Sequence, residues 1–555
     1  MSQLVGVFSH SGGEIKDKLA TMRRVCLSRE AVKTSSRVEK HPWLVSSSFE
    51  TVNSSKGLAE LFSPIELRNL EYPYSDYDAN LVLMYDGQFY NLPPITPDIQ
   101  HNHRFAPKGG AEMLVYLLKH HRGNLEQKIK KTLPELDGDY ALVVSSDDQT
   151  VITRDSLGTR PLYVAEGDDF SAFASTKKAL WKIGLSDVAP LRASTLAVFT
   201  QSGVKIKKAL PRDKGSPEIK DLGQAVDSYQ KALCSSVRKR LMNVDKVGVL
   251  LSGGVDSCLI AKLVLDIATP AGIKVTAYTA GLADSRDVSF AREFARSIGI
   301  DHRIRVLSLD DVERYIPRVI DAVEERDFIQ IETGIAIYAA VDIASQDGIK
   351  IIFSGQGPDE LWGGYSWYPD ILGKDGRQEL SRRMWDDFAR ADVETLDREN
   401  KIARAHNAEA MFPYLDHDVV KLALSVASEL KVTSENDRVG KHPHRRLAQK
   451  IGIPDKYASR NKEAAQHGSG IHDILDTIAR RNGFNAALVA RIGYASNKIT
   501  TEKMGSSARY GYRYARGDMW QIPEHVQLYL DMTAYNEDML NKPEKKKIQP
   551  FLEKI

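Results

Sequence analysis

Between residues 246 and 355 the sequence alternates short apolar runs with longer helix-like segments, and few folds accept that order. KVGVLLS (246–252), KVTAYTAG (274–281), HRIRVLSL (302–309) and IKIIFSG (349–355) read as strands. CLIAKLVLDIA (258–268), VSFAREFARSIG (288–299) and the segment around 333–346 read as helices between them. Strands joined through helices run parallel, because a parallel pair needs a long crossover, and the helices then cover both faces of the sheet. An amphipathic stretch at 225–242 leads into this region, and 370–480 reads as mostly helical.

The first 210 residues have another texture. LVGVFS (4–9), NLVLMYDGQFYNL (80–92), YALVVSS (140–146) and STLAVFT (194–200) read as strands, with one helical pattern at 111–120. That mixture predicts a layered α+β domain. The polar stretch PRDKGSPEIKD (211–221) reads as a linker. The expected division is therefore a domain over 1–210, a linker over 211–224, an α/β domain over 225–490 and an extension over 491–555. The extension, with YGYRYARGDMW at 510–520, matches no pattern, and Lys545, Lys546 and Lys547 read as a solvated basic run.

Composition narrows the function classes. With 42% apolar and 27% charged residues the chain is an ordinary globular one, not disordered, collagenous or polytopic. Its 76 basic and 74 acidic residues leave a net charge of +2, which gives no electrostatic case for nucleic acid or an anionic membrane. Cys26, Cys234 and Cys258 are too few for a disulfide scaffold and lack metal-ligand spacing, so a reducing, cytoplasmic setting is expected. The start, MSQLVGVFSHSGGE, lacks the features of a signal peptide, and no run reaches the ~18 apolar residues of a membrane span.

Chemistry concentrates at 250–257. Leu250 and Leu251 close a strand, and Ser252, Gly253, Gly254, Val255, Asp256 and Ser257 lead into a helix. Two glycines let backbone N–H groups approach a phosphate chain, and the helix N-terminus adds positive potential. Ser252 and Ser257 supply short hydroxyl donors, and Asp256 supplies a carboxylate for Mg²⁺ on the phosphates.

LLSGGVDS resembles the pyrophosphate loop of the N-type ATP pyrophosphatases, and FSGQGPDELWGGY (353–365) resembles the asparagine synthetase segment SGEGSDELFGGY. NAEAMFPYLD (407–416) and RNKEAAQHGSGI (460–471) match two further segments of that family in the same order. The resemblance implies an α/β ATP-pyrophosphatase domain with a helical C-terminal part, using ATP and Mg²⁺. It implies that Asp359 shares the metal with Asp256, that Ser354 and Gly355 line the nucleotide and acyl site, and that Asp287 lies near the nucleotide. It makes Lys462 the catalytic lysine for charge developing on the α-phosphate and the acyl carbon.

The first domain resembles the family's class II glutamine amidotransferase partner, an Ntn-hydrolase-like fold, through YDGQFYN (85–91), LDGDYALVV (136–144), TRDSLGTRPLYV (153–164) and FASTKKAL (173–180). The family's terminal cysteine nucleophile is replaced by Ser2. Its NGE loop is Asp86-Gly87-Gln88, an aspartate that binds glutamine aligns with Gly110, and WLVSSSFETVN (43–53) has no clear counterpart of its arginine. Glutaminase activity is expected to be lost.

The synthetase site departs from the family as well. Gln356 stands where asparagine synthetases have Glu and lactam-forming relatives have Tyr, the latter paired with a Glu at the position of Glu409. Gln takes no proton at neutral pH, so Glu409 is the expected base, with His406 behind it. Pro358 and Met411 replace a serine and an arginine. The resemblance thus implies an AMP-forming amide synthetase joining a carboxylate, by default aspartate, to ammonia or another amine. Lactam or amide formation on a different acid, and a non-catalytic ATP- or partner-binding role, stay open, as does a homodimer.

Overall fold

The computed structural model describes residues 2–10, 15–26, 39–40, 44–50, 74–76, 81–91, 110–146, 148–200, 202–209, 218–461, 465–496 and 523–555. The chain forms two compact units, Met1–Asp213 and Lys214–Ile555.

The first unit is built on two antiparallel six-stranded sheets. One runs β10 (Val188–Pro190), β8 (Tyr163–Glu166), β9 (Phe170–Ala174), β1 (Ser2–Ser9), β3 (Leu44–Glu50) and β2 (Glu39–Lys40). The other runs β12 (Gly203–Lys208), β11 (Thr195–Thr200), β7 (Thr150–Arg154), β6 (Gly138–Ser145), β5 (Leu81–Phe89) and β4 (Tyr74–Asp76). Central strands are apolar on both faces, so each sheet is covered on both sides. In β1, Leu4 and Phe8 point into a core shared with Met84, Val143, Phe173 and Phe199 of both sheets. Val5 and Val7 face the other way, onto helices α1 (Lys16–Cys26) and α4 (Lys177–Lys182). Helices α2 (Gly110–His120) and α3 (Leu125–Thr132) cover the outer face of the second sheet through Leu114, Leu118 and Ile129. Gly6 admits the Phe173 ring, which would lie 2.3 Å from an added Cβ.

The second unit holds a five-stranded, wholly parallel sheet in the order β15 (Asp301–Leu307), β14 (Lys274–Leu282), β13 (Lys246–Leu250), β16 (Ile351–Phe353) and β17 (Glu409–Met411). Helix α5 (Leu222–Arg240) leads in, and α6 (Val255–Ala268), α7 (Arg286–Ile298), α8 (Leu309–Val323) and α9 (Phe328–Gln346) make the crossovers. α9 has the length and apolar composition of a membrane span, but it packs within this unit, with Ile331, Ile335 and Ala339 fully buried. Helices α10 (Pro358–Trp362) and α11 (Leu396–Ala405) follow β16, then α12 (His442–Lys450), α13 (Ala465–Gly468) and α14 (Ile471–Arg481).

The end of the chain is anchored in this unit through α15 (Glu524–Asn536) and α16 (Lys542–Leu552). Buried Arg326 donates to Asp531 Oδ1 at 2.8 Å and to Glu544 Oε1 at 2.7 Å. Tyr494 donates to the second Asp531 oxygen at 2.7 Å. The aromatic stretch 510–520 lies outside the described residues.

Candidate active site

A parallel sheet gathers its loops at the carboxyl ends of the strands, and four of the segments singled out in the sequence meet there. β13 ends at Leu250, and Ser252, Gly253 and Gly254 turn the chain into α6, whose first residues are Val255, Asp256 and Ser257. Gly253 has φ +74° and packs on α7; a Cβ there would lie 2.5 Å from Phe290 Cβ and 2.8 Å from the Ala291 nitrogen. Only glycine satisfies both demands. The loop is tied internally. The Ser252 N–H donates to Ser257 Oγ at 3.1 Å, and that hydroxyl donates to the Gly254 carbonyl at 3.0 Å. The Gly254 N–H reaches Ser252 Oγ at 3.4 Å. Ser257 therefore ties the cradle together through both its hydroxyl hydrogen and its oxygen.

Asp256 and Asp359, on α6 and α10, come together, and what stands between them is a lysine the sequence did not advertise. Lys441 Nζ lies 2.8 and 2.9 Å from the Asp256 oxygens and 2.7 Å from Asp359 Oδ1. The lysine side chain is 1% exposed. In this structure the Lys441 ammonium group relieves the repulsion between the two carboxylates. His444 Nε2 lies 3.0 Å from Asp256 Oδ1, while its Nδ1 meets the Tyr229 hydroxyl at 2.9 Å. Burial pushes the His444 pKa down, against the opposing pull of Asp256. Tyr414 donates to the Asp256 carbonyl at 2.8 Å, fixing the start of α6.

Two arginines close the cradle. Arg460 donates to the Ser252 carbonyl at 3.3 Å and to Asp287 Oδ1 at 3.1 Å, and stacks 4.2 Å over the Phe290 ring. Arg445 donates only to carbonyls, those of Val439, Gly440, Ala458 and Arg460, and so staples the segment carrying Lys441 to the one carrying Arg460. Lys462 lies outside the described residues.

The loop after β16 lies against the same helix start. A Cβ on Gly355 would be 3.1 Å from the Ser257 nitrogen. Ser354 donates its N–H to the Met411 carbonyl at 2.9 Å and its hydroxyl accepts from the Gln356 N–H at 3.3 Å. Gln356 does not meet Glu409. Its amide donates to Glu399 Oε1 on α11 at 2.6 Å. Burial pushes the Glu399 carboxyl up, against the opposing pull of Ser354, Arg398 and Gln356. Glu409 begins β17 opposite Ile351, at the amino end of the strand pair. His406 is taken up by the Ile402 carbonyl at 2.9 Å and by the Tyr338 ring. Neighbouring Glu360 is raised to about 7, by burial first and then by Asp359. Lys441, His444, Arg445 and Glu399 are the residues sequence reasoning missed, and Arg460 was read only as part of a motif.

In the first unit the strings matched to the amidotransferase pattern carry structure. Asp155 accepts from the N–H groups of Tyr140, Leu157 and Thr159 and from the Thr159 hydroxyl, while Arg154 donates to the Leu191 and Gly158 carbonyls, so RDSLGTR builds a loop. A Cβ on Gly110 would lie 2.8 Å from the Tyr85 hydroxyl and 3.2 Å from the Phe89 ring. A side chain there requires the Tyr85 hydroxyl to shift. Ser2 opens β1, paired with Glu50.

Known sequences carry the same arrangement of segments. The asparagine synthase family profile matches residues 228–376 and 372–531, and a glutamine amidotransferase domain profile matches residues 61–182. The chain is 28% identical over 465 residues to a putative glutamine-hydrolyzing asparagine synthetase of Methanocaldococcus jannaschii, covering 74% of this chain and 82% of that protein. It is 26% identical over 401 residues to the glutamine-hydrolyzing asparagine synthetase of Gallus gallus, covering 67% and 68% respectively. The Cricetulus griseus enzyme of the same name is 27% identical over 440 residues, 74% of each chain. The profile spans the cradle, both aspartates and the helices that hold them, and so the chain belongs to the asparagine synthase family and is a carbon–nitrogen ligase.

Proposed function

We propose that this ligase activates a carboxylic acid, by default aspartate, as its acyl-adenylate and passes it to free ammonia. The carrying observation is the convergence of Asp256 and Asp359 on one point beside the 252–257 loop. A carboxylate oxygen of the acid attacks the α-phosphorus of ATP, the bond to the bridging oxygen of the β-phosphate breaks, and pyrophosphate leaves into the cradle. The donor set fits a magnesium ion: Asp256 and Asp359 supply two convergent carboxylates, and Mg²⁺ is characteristically held by one or two carboxylates together with phosphates. Asp256 and Asp359 would hold it, where it would neutralise charge on the leaving pyrophosphate.

Ammonia then attacks the acyl carbon, the nitrogen gives up a proton, and AMP departs. Glu399, raised by burial and in contact with Gln356, takes the base role that Glu409 was expected to fill. Lys462 acts on the charge that develops at the α-phosphate, and Lys462→Ala leaves ATP binding intact while removing amide formation. Glutamine is not the nitrogen source: Ser2 replaces the family's thiol, and Gly110 stands where the family's glutamine-binding aspartate would be.

Pyrophosphate release, measured for a panel of acids with ammonium or glutamine, tests the reading. Stoichiometric AMP, pyrophosphate and amide from one acid with ammonium is the expected result. ATP consumption indifferent to the acid, or glutamate released from glutamine, overturns it.

A further inference from the structure

Lys441 sits where a resident metal would otherwise bind, and its surroundings are shaped to keep it there. Its backbone is in the left-handed region, φ 56° and ψ 31°, a conformation that non-glycine residues seldom adopt without a compensating contact. Gly440 before it has φ +57° and passes so close to Gly363 that a Cβ would be 2.2 Å from the Gly363 carbonyl oxygen. A Cβ on Gly364 would lie 2.0 Å from Lys441 Cε and 2.1 Å from Asp359 Oδ1. Gly364 of the WGGY segment thus leaves the room that the lysine stem fills. Three cations stand at the cradle: Lys441 pairs with Asp256 and Asp359, Arg460 pairs with Asp287, and Arg445 lies near Asp256 and Asp359 without a hydrogen bond to either.

We propose that Lys441 is an internal counter-ion for the Asp256–Asp359 pair, which keeps a bare divalent cation out and lets the metal enter only together with the nucleotide. The inference rests on reading the 252–257 loop as the ATP site. A dication placed between the carboxylates alone would stand beside a buried ammonium group in a cradle whose charges already cancel. A polyphosphate reverses that balance. It brings the negative charge that the lysine, the arginines and the metal then share, so metal and nucleotide each favour the other's binding, as linkage requires.

The test is Mn²⁺ binding to the full-length protein, read by the electron paramagnetic resonance of free Mn²⁺, with and without the ATP analogue whose α–β bridge is a methylene. The wild type is expected to hold one Mn²⁺ with the analogue and none tightly without it. Lys441→Met is expected to bind Mn²⁺ without nucleotide on the order of a hundredfold more tightly than the wild type does. Tight nucleotide-free binding to the wild type, or no gain in a folded Lys441→Met protein, overturns the inference and leaves the ATP site standing. Absence of Mn²⁺ binding even with the analogue removes the ATP reading and the inference with it. Should Lys441→Met not fold, the two wild-type titrations still decide.

Discussion

Replacing Gly364 by alanine adds one methyl group at the most crowded point of the site. The new Cβ would lie 2.0 Å from Lys441 Cε and 2.1 Å from Asp359 Oδ1, so one of them must move. Moving the end of a lysine is ordinarily cheap, but this one is 1% exposed and held by two carboxylates at 2.7–2.9 Å. Overpacking a filled interior costs about 1–3 kcal/mol. Breaking a buried pair outright costs about 3–5 kcal/mol, and a displaced lysine that keeps one of its two partners loses only part of that. We expect Gly364→Ala to destabilise the second unit by about 2–4 kcal/mol and to remove pyrophosphate release even where the protein is folded. Gly299→Ala is the control. Gly299 has φ +70° with nothing within 4 Å of an added Cβ, so its penalty is conformational, about 1 kcal/mol, and activity survives. Urea midpoints with pyrophosphate release on both variants decide. Wild-type turnover in Gly364→Ala, or a larger stability loss in Gly299→Ala, would refute the reasoning.

Glu399→Gln should lower amide formation by about 10²–10⁴ while acid-dependent exchange of pyrophosphate into ATP continues, since only the amine step needs the base. Burial raises the Glu399 pKa, so the wild-type acidic limb should lie above the usual carboxylate range, with amide formation falling as pH drops through it, and the limb should vanish in the variant. An unchanged profile would return the base role to another group. Arg326→Met strands Asp531 and Glu544 without their buried cation, and calorimetry should show a loss of about 3–5 kcal/mol, with the end of the chain becoming open to protease. A loss below about 1 kcal/mol would mean that the C-terminal helices hold by apolar packing alone.

The parallel sheet was legible because its central strands are apolar throughout and are separated by segments with helical period, and the α6 and α7 crossovers differ from expectation only at their ends. β17 was not. It has three residues, Glu409–Met411, and owes its place to ladder bonds with β16 rather than to any pattern of its own. In α11 the polar run LDRENKIARA hides not the helix but its burial. Arg398, Glu399, Asn400 and Lys401 are four consecutive polar residues, yet all are buried. Periodicity assigns such a stretch to solvent. Here Lys401 pairs with Glu324 and Asp397, and Arg398 donates to Gln330, so the helix packs with its charges matched in place.

The same two elements explain why the contact between Gln356 and Glu399 could not be read from the sequence. A motif match fixes which residues share a segment but not which way a strand runs past the reacting loop. In the ladder Glu409 stands opposite Ile351 and Met411 opposite Phe353, and the Ser354 N–H continues it to the Met411 carbonyl. The loop carrying Gln356 therefore begins beyond Met411. At about 3.3 Å per residue, Glu409 lies some 7 Å back along the strand, at the end from which parallel sheets do not present their chemistry. Glu399 needs no strand to bring it forward. Its helix crosses beside β17, and a single turn sets the carboxylate 2.6 Å from the Gln356 amide. The Gln356 amide, donating to this buried carboxylate, holds it in place and favours its ionised form against the upward push of burial.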